Sequence, residues 1–209
     1  MSVIIEENAI VLFQGDSITD GERFREDPNN LGRGYAAMVA AWFSALHPDR
    51  RVTFLNRGIG GNRVVDLRER WQADCLDLSP TWVSIMIGIN DTWRAFDSND
   101  PTSSESYEED YRHILGQVRD QLGAKLILME PFVLHHPEDR KDWRGDLNPR
   151  IEIVHRLAGE FEAILVKLDS AFTAKTESVP PAYWADDGVH PTPAGDAVIA
   201  QSWLAAVGA

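Results

Sequence analysis

The chain has 209 residues, enough for one α/β domain with a well-buried core and too few for two comfortable ones. A hydrophobic content of 44% and a charged content of 25% are those of an ordinary globular protein. The net charge of −13 argues against nucleic acid and anionic membrane surfaces as partners and suits a neutral or weakly charged small molecule, unless a local basic patch overrules the global field.

The single cysteine, Cys75, excludes an internal disulfide. The first residues lack a basic segment, and Glu6 and Glu7 interrupt their apolar run, so no secretory signal is read there. No apolar stretch approaches the roughly 20 residues that span a bilayer. These features set the expectation of a cytoplasmic protein, with self-association as a homo-oligomer left open.

In chain order, five short apolar runs predict buried strands: residues 9–13, 52–56, 82–87, 125–129 and 163–167. They are near-continuous rather than alternating, the pattern of a parallel sheet covered on both faces. Between them, helical spacing links Val64, Leu67, Trp71, Cys75 and Leu78. The same spacing links Tyr107, Tyr111, Leu115, Val118 and Leu122, and then Leu147, Ile151, Val154, Ala158 and Phe161. Thr192 is placed to N-cap a last helix, with Pro193 in its first turn. The polar stretch 97–106 reads as a loop. The alternation predicts a single domain over residues 1–209. Its fold class is α/β, a flavodoxin-like three-layer α/β/α sandwich around a five-stranded, mainly parallel sheet. In such folds ligands sit beyond the carboxyl ends of the strands.

Four strand-end segments carry groups able to do chemistry. Gly15-Asp16-Ser17-Ile18-Thr19-Asp20 puts a hydroxyl near a helix N-terminus, although a turn or capping serine would look the same. Asn56-Arg57-Gly58-Ile59-Gly60-Gly61-Asn62 can bring backbone N–H groups close to a ligand, or be a plain strand-to-helix turn. Gly88-Ile89-Asn90-Asp91 can present the Asn90 amide to a developing oxyanion, while Asp91 fits an Asx turn or helix cap. Asp187-Gly188-Val189-His190-Pro191 sets a carboxylate three residues before a histidine, a spacing that lets Asp187 hold Nδ1 so that Nε2 faces a serine. Asp186 is the competing carboxylate. The other five histidines have no comparable context.

Together, Gly-Asp-Ser-Ile-Thr at 15–19, the Asn56 to Gly61 block, Gly-Ile-Asn-Asp at 88–91 and Asp-Gly-Val-His-Pro at 187–191 resemble the four sequence blocks of the SGNH (GDSL-type) hydrolases, in order and across the whole chain. The resemblance implies a serine esterase with Ser17 as nucleophile and His190 and Asp187 completing the triad. It implies an oxyanion hole from Ser17 N–H, Gly61 N–H and the Asn90 amide, with no metal and no organic cofactor. Residues 82–94 look like the subgroup of intracellular xylan acetylesterases. That implies acetyl removal from acetylated xylo-oligosaccharides, with a broad short-chain carboxylesterase or lipase-like thioesterase as the alternative. In at least some members of that subgroup a Trp precedes the catalytic Asp, a position held here by Asp186.

Seven tryptophans leave some for recognition. Trp93, Tyr183 and Trp184 flank the blocks and are expected to line the acyl pocket or stack on a sugar ring, with Phe132 and Trp143 as possible companions. Trp42, Trp71, Trp82 and Trp203 are expected in the core or on helix faces. Arg23 and Arg94 are expected to pair with surface acids as readily as to serve the site. Two other classes fit less well. A phosphoacceptor module built on Asp16 would need an acidic Mg²⁺ cluster, and a metallophosphoesterase would need ligand blocks that are missing.

Overall fold

The computed structural model describes residues 3–209. Five strands, β1 (Ile10–Gly15), β2 (Thr53–Asn56), β3 (Trp82–Met86), β4 (Lys125–Met129) and β5 (Ile164–Val166), form one parallel sheet in the order β2-β1-β3-β4-β5. This is the flavodoxin-like order, and its direction of winding reverses between β1 and β3. The carboxyl ends of those two strands therefore flank the crevice where such folds bind ligands.

Among the described residues the helices are α1 (Ser17–Asp20), α2 (Tyr35–Leu46), α3 (Val64–Asp74), α4 (Ile89–Asp97), α5 (Ser104–Gln117), α6 (Arg144–Glu160), α7 (Leu168–Thr176), α8 (Pro181–Trp184) and α9 (Pro193–Ala206). Alternation along the strands divides the apolar runs between two cores. Val11 and Phe13 of β1, Met86 of β3 and Met129 of β4 pack with α2, α7 and α9. Leu12, Val83, Ile85 and Leu128 pack with α3, α5 and α6 on the other face. Each layer is anchored by a fully buried indole, Trp203 in the first and Trp71 in the second. Truncating either to alanine would cost about 3–5 kcal/mol. Trp203 Nε1 donates to Ser84 Oγ at 3.0 Å, which satisfies the one hydroxyl that β3 carries into that core.

The sandwich, the sheet and the strand positions agree with the sequence reading, but several details differ. β1 runs on to Gly15, because the Gln14 amide donates to Asp74 O at 2.7 Å and accepts from Arg70 at 3.0 Å. A polar residue can continue a buried strand when both ends of its amide are satisfied. The helix α2 had no counterpart in the spacing, since Tyr35-Ala-Ala-Met-Val-Ala-Ala-Trp-Phe is apolar on nearly every side and carries little periodicity. Trp42 on α2 is 60% exposed, while Trp71, Trp82 and Trp203 are buried. Phe132 is also buried, 4.3 Å from Phe172 ring to ring, and belongs to the core rather than to a pocket. Among the described residues no helix is long and apolar enough to cross a membrane.

Candidate active site

Gly15 ends β1 with no room for a side chain: a Cβ there would lie 2.3 Å from Thr19 Oγ1 and 2.4 Å from Met86 O. The chain then turns at Asp16, whose Oδ1 accepts the Ile18 N–H at 3.0 Å and caps the single turn of α1. Ser17 is the first residue of that turn. Its Oγ lies 2.9 Å from His190 Nε2.

His190 comes from a loop that Asp187 organises. Asp187 Oδ1 accepts the N–H groups of Val189 at 2.9 Å and His190 at 2.7 Å, while Oδ2 lies 2.6 Å from His190 Nδ1. That contact assigns the Nδ1–H tautomer and leaves Nε2 as an acceptor for the Ser17 hydroxyl. Gly188 permits the loop its turn: its φ is +82°, and a Cβ would fall 2.2 Å from His136 O. Burial alone would raise the Asp187 carboxyl, but the hydrogen bonds from His190 and the two backbone N–H groups outweigh it and bring it down to about 2. The Asp187 hydrogen bond holds the His190 imidazole above its ordinary range, against the opposing effect of burial. Asp186 is exposed and adds only a distant charge.

The other two loops meet beside Ser17. A Cβ on Gly60 would come within 3.7 Å of Ser17 Cβ, so the glycine-rich turn passes close to the hydroxyl. Asn56 shapes that turn, donating to Thr19 O at 2.6 Å and Leu31 O at 2.9 Å and accepting from Gly58 N–H at 2.8 Å. Asn90, nearly buried at the start of α4, donates one amide hydrogen to Asn62 O at 3.1 Å, which fixes its plane and leaves the second hydrogen free. Its neighbour Asp91 accepts Val64 N–H at 3.2 Å, so two consecutive residues clasp α4 to the end of the glycine turn. Burial pushes the Asp91 carboxyl up to about 7, against the opposing charge of Arg150. Asp91 thus caps no turn of its own. It pins the start of α3, a role invisible from its local sequence.

Comparisons with known proteins give the chain a family. The family model for the GDSL-like Lipase/Acylhydrolase family matches residues 13–198. The chain belongs to that family. An acetylxylan esterase from Geobacillus stearothermophilus is 35% identical over 205 residues, 95% of this chain and 93% of its own length. A solved variant of the acetyl xylan esterase from that organism has a TM-score of 0.91 at 33% identity, covering 98% of this chain and 96% of the other. A protein from Parabacteroides merdae solved as a candidate GDSL-like lipase has a TM-score of 0.94 at 34% identity, covering 100% and 99%. This member of the family is a serine carboxylic ester hydrolase.

Around the four blocks of this esterase, the aromatic residues divide. Trp93 lies beside the site, its ring centre 5.8 Å from that of His190 and 5.3 Å from that of buried Trp143. Arg140 covers both indoles, 4.2 Å from the Trp143 centre, and its Nε donates to Asp187 O at 3.2 Å. None of Trp93, Tyr183 and Trp184 lines the cavity in front of Ser17, where they were expected, although Trp93 lies beside His190. The carbonyls of α8 are tied to Thr192, from Tyr183 O to its hydroxyl and from Trp184 O to its N–H, both at 2.8 Å. That anchorage sets the Trp184 indole against the core, with Tyr183 edge-on at 4.9 Å and Lys175 over its ring. The cavity wall comes instead from the segment 21–34, with Arg23, Arg25 and Arg33. Arg94 makes the expected surface pair, with Asp97 at 2.7 Å, but Arg23 makes no such pair among the described residues. No motif marks that segment, and only its density of arginines could have drawn attention to it.

Proposed function

We propose that this esterase removes acetyl groups from the hydroxyls of carbohydrate, such as acetylated xylo-oligosaccharides, through an acyl-enzyme on Ser17. One observation carries the reading: the unbroken hydrogen-bonded chain from Ser17 through His190 to Asp187, open on a cavity of about 640 Å³. Ser17 Oγ attacks the ester carbonyl as His190 Nε2 takes its proton, and Asp187 stabilises the imidazolium that forms. The carbonyl oxygen, now charged, meets the free hydrogen of Asn90 and the N–H groups of Ser17 and Gly61, neither of which has a partner among the described residues. The imidazolium returns its proton to the departing alcohol. A water then enters and attacks the acyl carbon as it gives a proton to His190, and the imidazolium returns that proton to Ser17 Oγ as acetic acid leaves.

The size of the acyl group is inferred from Trp93, whose ring stands 5.8 Å from that of His190 and is backed by buried Trp143. A relative described as an acetylxylan esterase, matched along nearly the whole chain, supports acetyl as the group and a xylan-derived alcohol. A p-nitrophenyl acyl series run beside acetylated xylo-oligosaccharides tests the reading. Activity should fall steeply from acetate to butyrate and vanish by octanoate, and a serine-directed phosphonate should label Ser17. Labelling of another serine with Ser17→Ala still active would overturn the nucleophile. Equal rates on acetate and octanoate, with no acid from the oligosaccharide, would favour the broad esterase.

A further inference from the structure

Three arginines at one cavity mouth run against a chain whose net charge is −13. Their commitments differ. Arg25 is paired with Asp20 at 2.5 Å, and Arg33 with Glu22 at 3.2 Å where both are exposed. Asp20 is further engaged by the N–H groups of Arg23 and Gly60. The remaining acid on the wall, Asp196, accepts Tyr35 N–H at 3.0 Å, and burial pushes its carboxyl up to about 7. Arg23 alone has no acidic partner among the described residues. Its Nε donates to Gly58 O at 3.0 Å, which fixes the plane of the guanidinium, and its two Nη groups hydrogen-bond to nothing among those residues. The side chain is half-buried, and burial lowers its basicity.

Asp20 and Asp74 act on this partly desolvated cation only through space, so no carboxylate among the described residues is in hydrogen-bond contact with it and its Nη groups stay open to a ligand. A fixed guanidinium with both Nη groups free is the geometry that grips a carboxylate with two parallel hydrogen bonds. Asp20 and Glu22 nearby would oppose a dianion more than a monoanion, which favours carboxylate over phosphate. Trp93, backed by Trp143, stands beside His190 outside the lining of this cavity, whereas Arg23 is part of that lining, so the group Arg23 meets belongs to the alcohol part of the ester. Resting on the esterase reading above, we infer that Arg23 recognises a carboxylate on the alcohol moiety, so that the preferred substrate is an acetyl ester of a uronate-bearing oligosaccharide.

The test compares acetylated xylo-oligosaccharides with and without a glucuronosyl substituent, with p-nitrophenyl acetate as the check on esterase chemistry. The wild type should prefer the anionic ester by about tenfold in kcat/KM, the worth of one charge-assisted fork. Arg23→Gln should bring that ratio close to one. Arg23→Lys, which keeps the charge without the fork, should fall between. In the wild type, which needs no variant to fold, sodium glucuronate should inhibit p-nitrophenyl acetate hydrolysis competitively and more strongly than xylose. A wild-type ratio of one, or glucuronate no better than xylose, overturns the role of Arg23 and leaves the esterase standing. No hydrolysis of any acetyl ester would instead overturn the proposed function.

Discussion

On one side of Ser17, the loop that carries His190 has its polar atoms committed. Both oxygens of Asp187 are engaged, its carbonyl takes Arg140, and the imidazole is held at both nitrogens. On the other side, the segment 21–34 is pinned at its backbone but leaves the Arg23 fork unsatisfied. The first region is complete without a ligand, as a preorganised reacting centre should be. The second has spare capacity, as a surface that selects among ligands should have. Removing a group from the first should therefore cost rate, and from the second only selectivity.

The largest effect is expected at Asp187. Asp187→Asn should lower kcat by about 10³–10⁴-fold, because an amide in place of the carboxylate favours the wrong tautomer of His190. Asp186→Asn should change it by less than about threefold, as befits an exposed charge without a hydrogen bond to the ring. The pH profile gives an independent reading. The wild-type kcat/KM should rise through a midpoint above about 6.5, since Asp187 holds His190 in its protonated form to higher pH. In Asp187→Asn that midpoint should move down. The reverse order of the two variants would transfer the orienting role to Asp186.

The committed side is also the side that the sequence made legible. Ser17, Asp187 and His190 are brought together by a strand end and a three-residue spacing, and such local relations survive reading in one dimension. The strands were legible for the same reason: β4 lies at residues 125–129 as expected, and β1, expected over 9–13, starts one residue later at Ile10 and runs two further, where Gln14 finds partners in Asp74 and Arg70. What was hidden depends on contacts outside any local spacing pattern, several of them far along the chain. Trp184 has its environment set by Thr192 and Lys175, and Arg23 by Gly58. Helix α4, which the helical spacing did not mark, owes its anchorage to the clasp between Asn90–Asp91 and Asn62–Val64.

Asn90 tests whether that clasp serves chemistry. Asn90→Ala should lower kcat by roughly 10²–10³-fold with little change in KM, the usual cost of one oxyanion donor. Its free hydrogen meets an oxygen that is weakly charged in the ester and fully charged in the tetrahedral intermediate, so the bond strengthens toward the transition state. A loss confined to KM would make Asn90 a binding residue and move it to the selective side of the comparison.

The smallest expected effect concerns stability, at a carboxyl on the cavity wall opposite in character to Asp187. Asp187 is held at about 2, below its ordinary 3.8, so its contribution is present above pH 3.8 and is lost as pH falls toward 2. Asp196 is pushed by burial from 3.8 to about 7. The folded chain therefore binds a proton that the unfolded chain has released, and stability from this group is full below pH 3.8 and lost as pH rises through 7. Asp196→Asn keeps an oxygen for the Tyr35 N–H and carries no charge at any pH. Relative to the wild type, its Tm should be little changed at pH 4 and higher by a few degrees at pH 8, on the order of 1–2 kcal/mol. Asp16 and Asp91, also raised to about 7, add the same slope to both proteins and cancel in the difference. An equal Tm difference at the two pH values would mean that Asp196 stays ionised in the fold and that water reaches it from the cavity. The wall would then carry one more full negative charge, and the preference assigned to Arg23 should weaken in step.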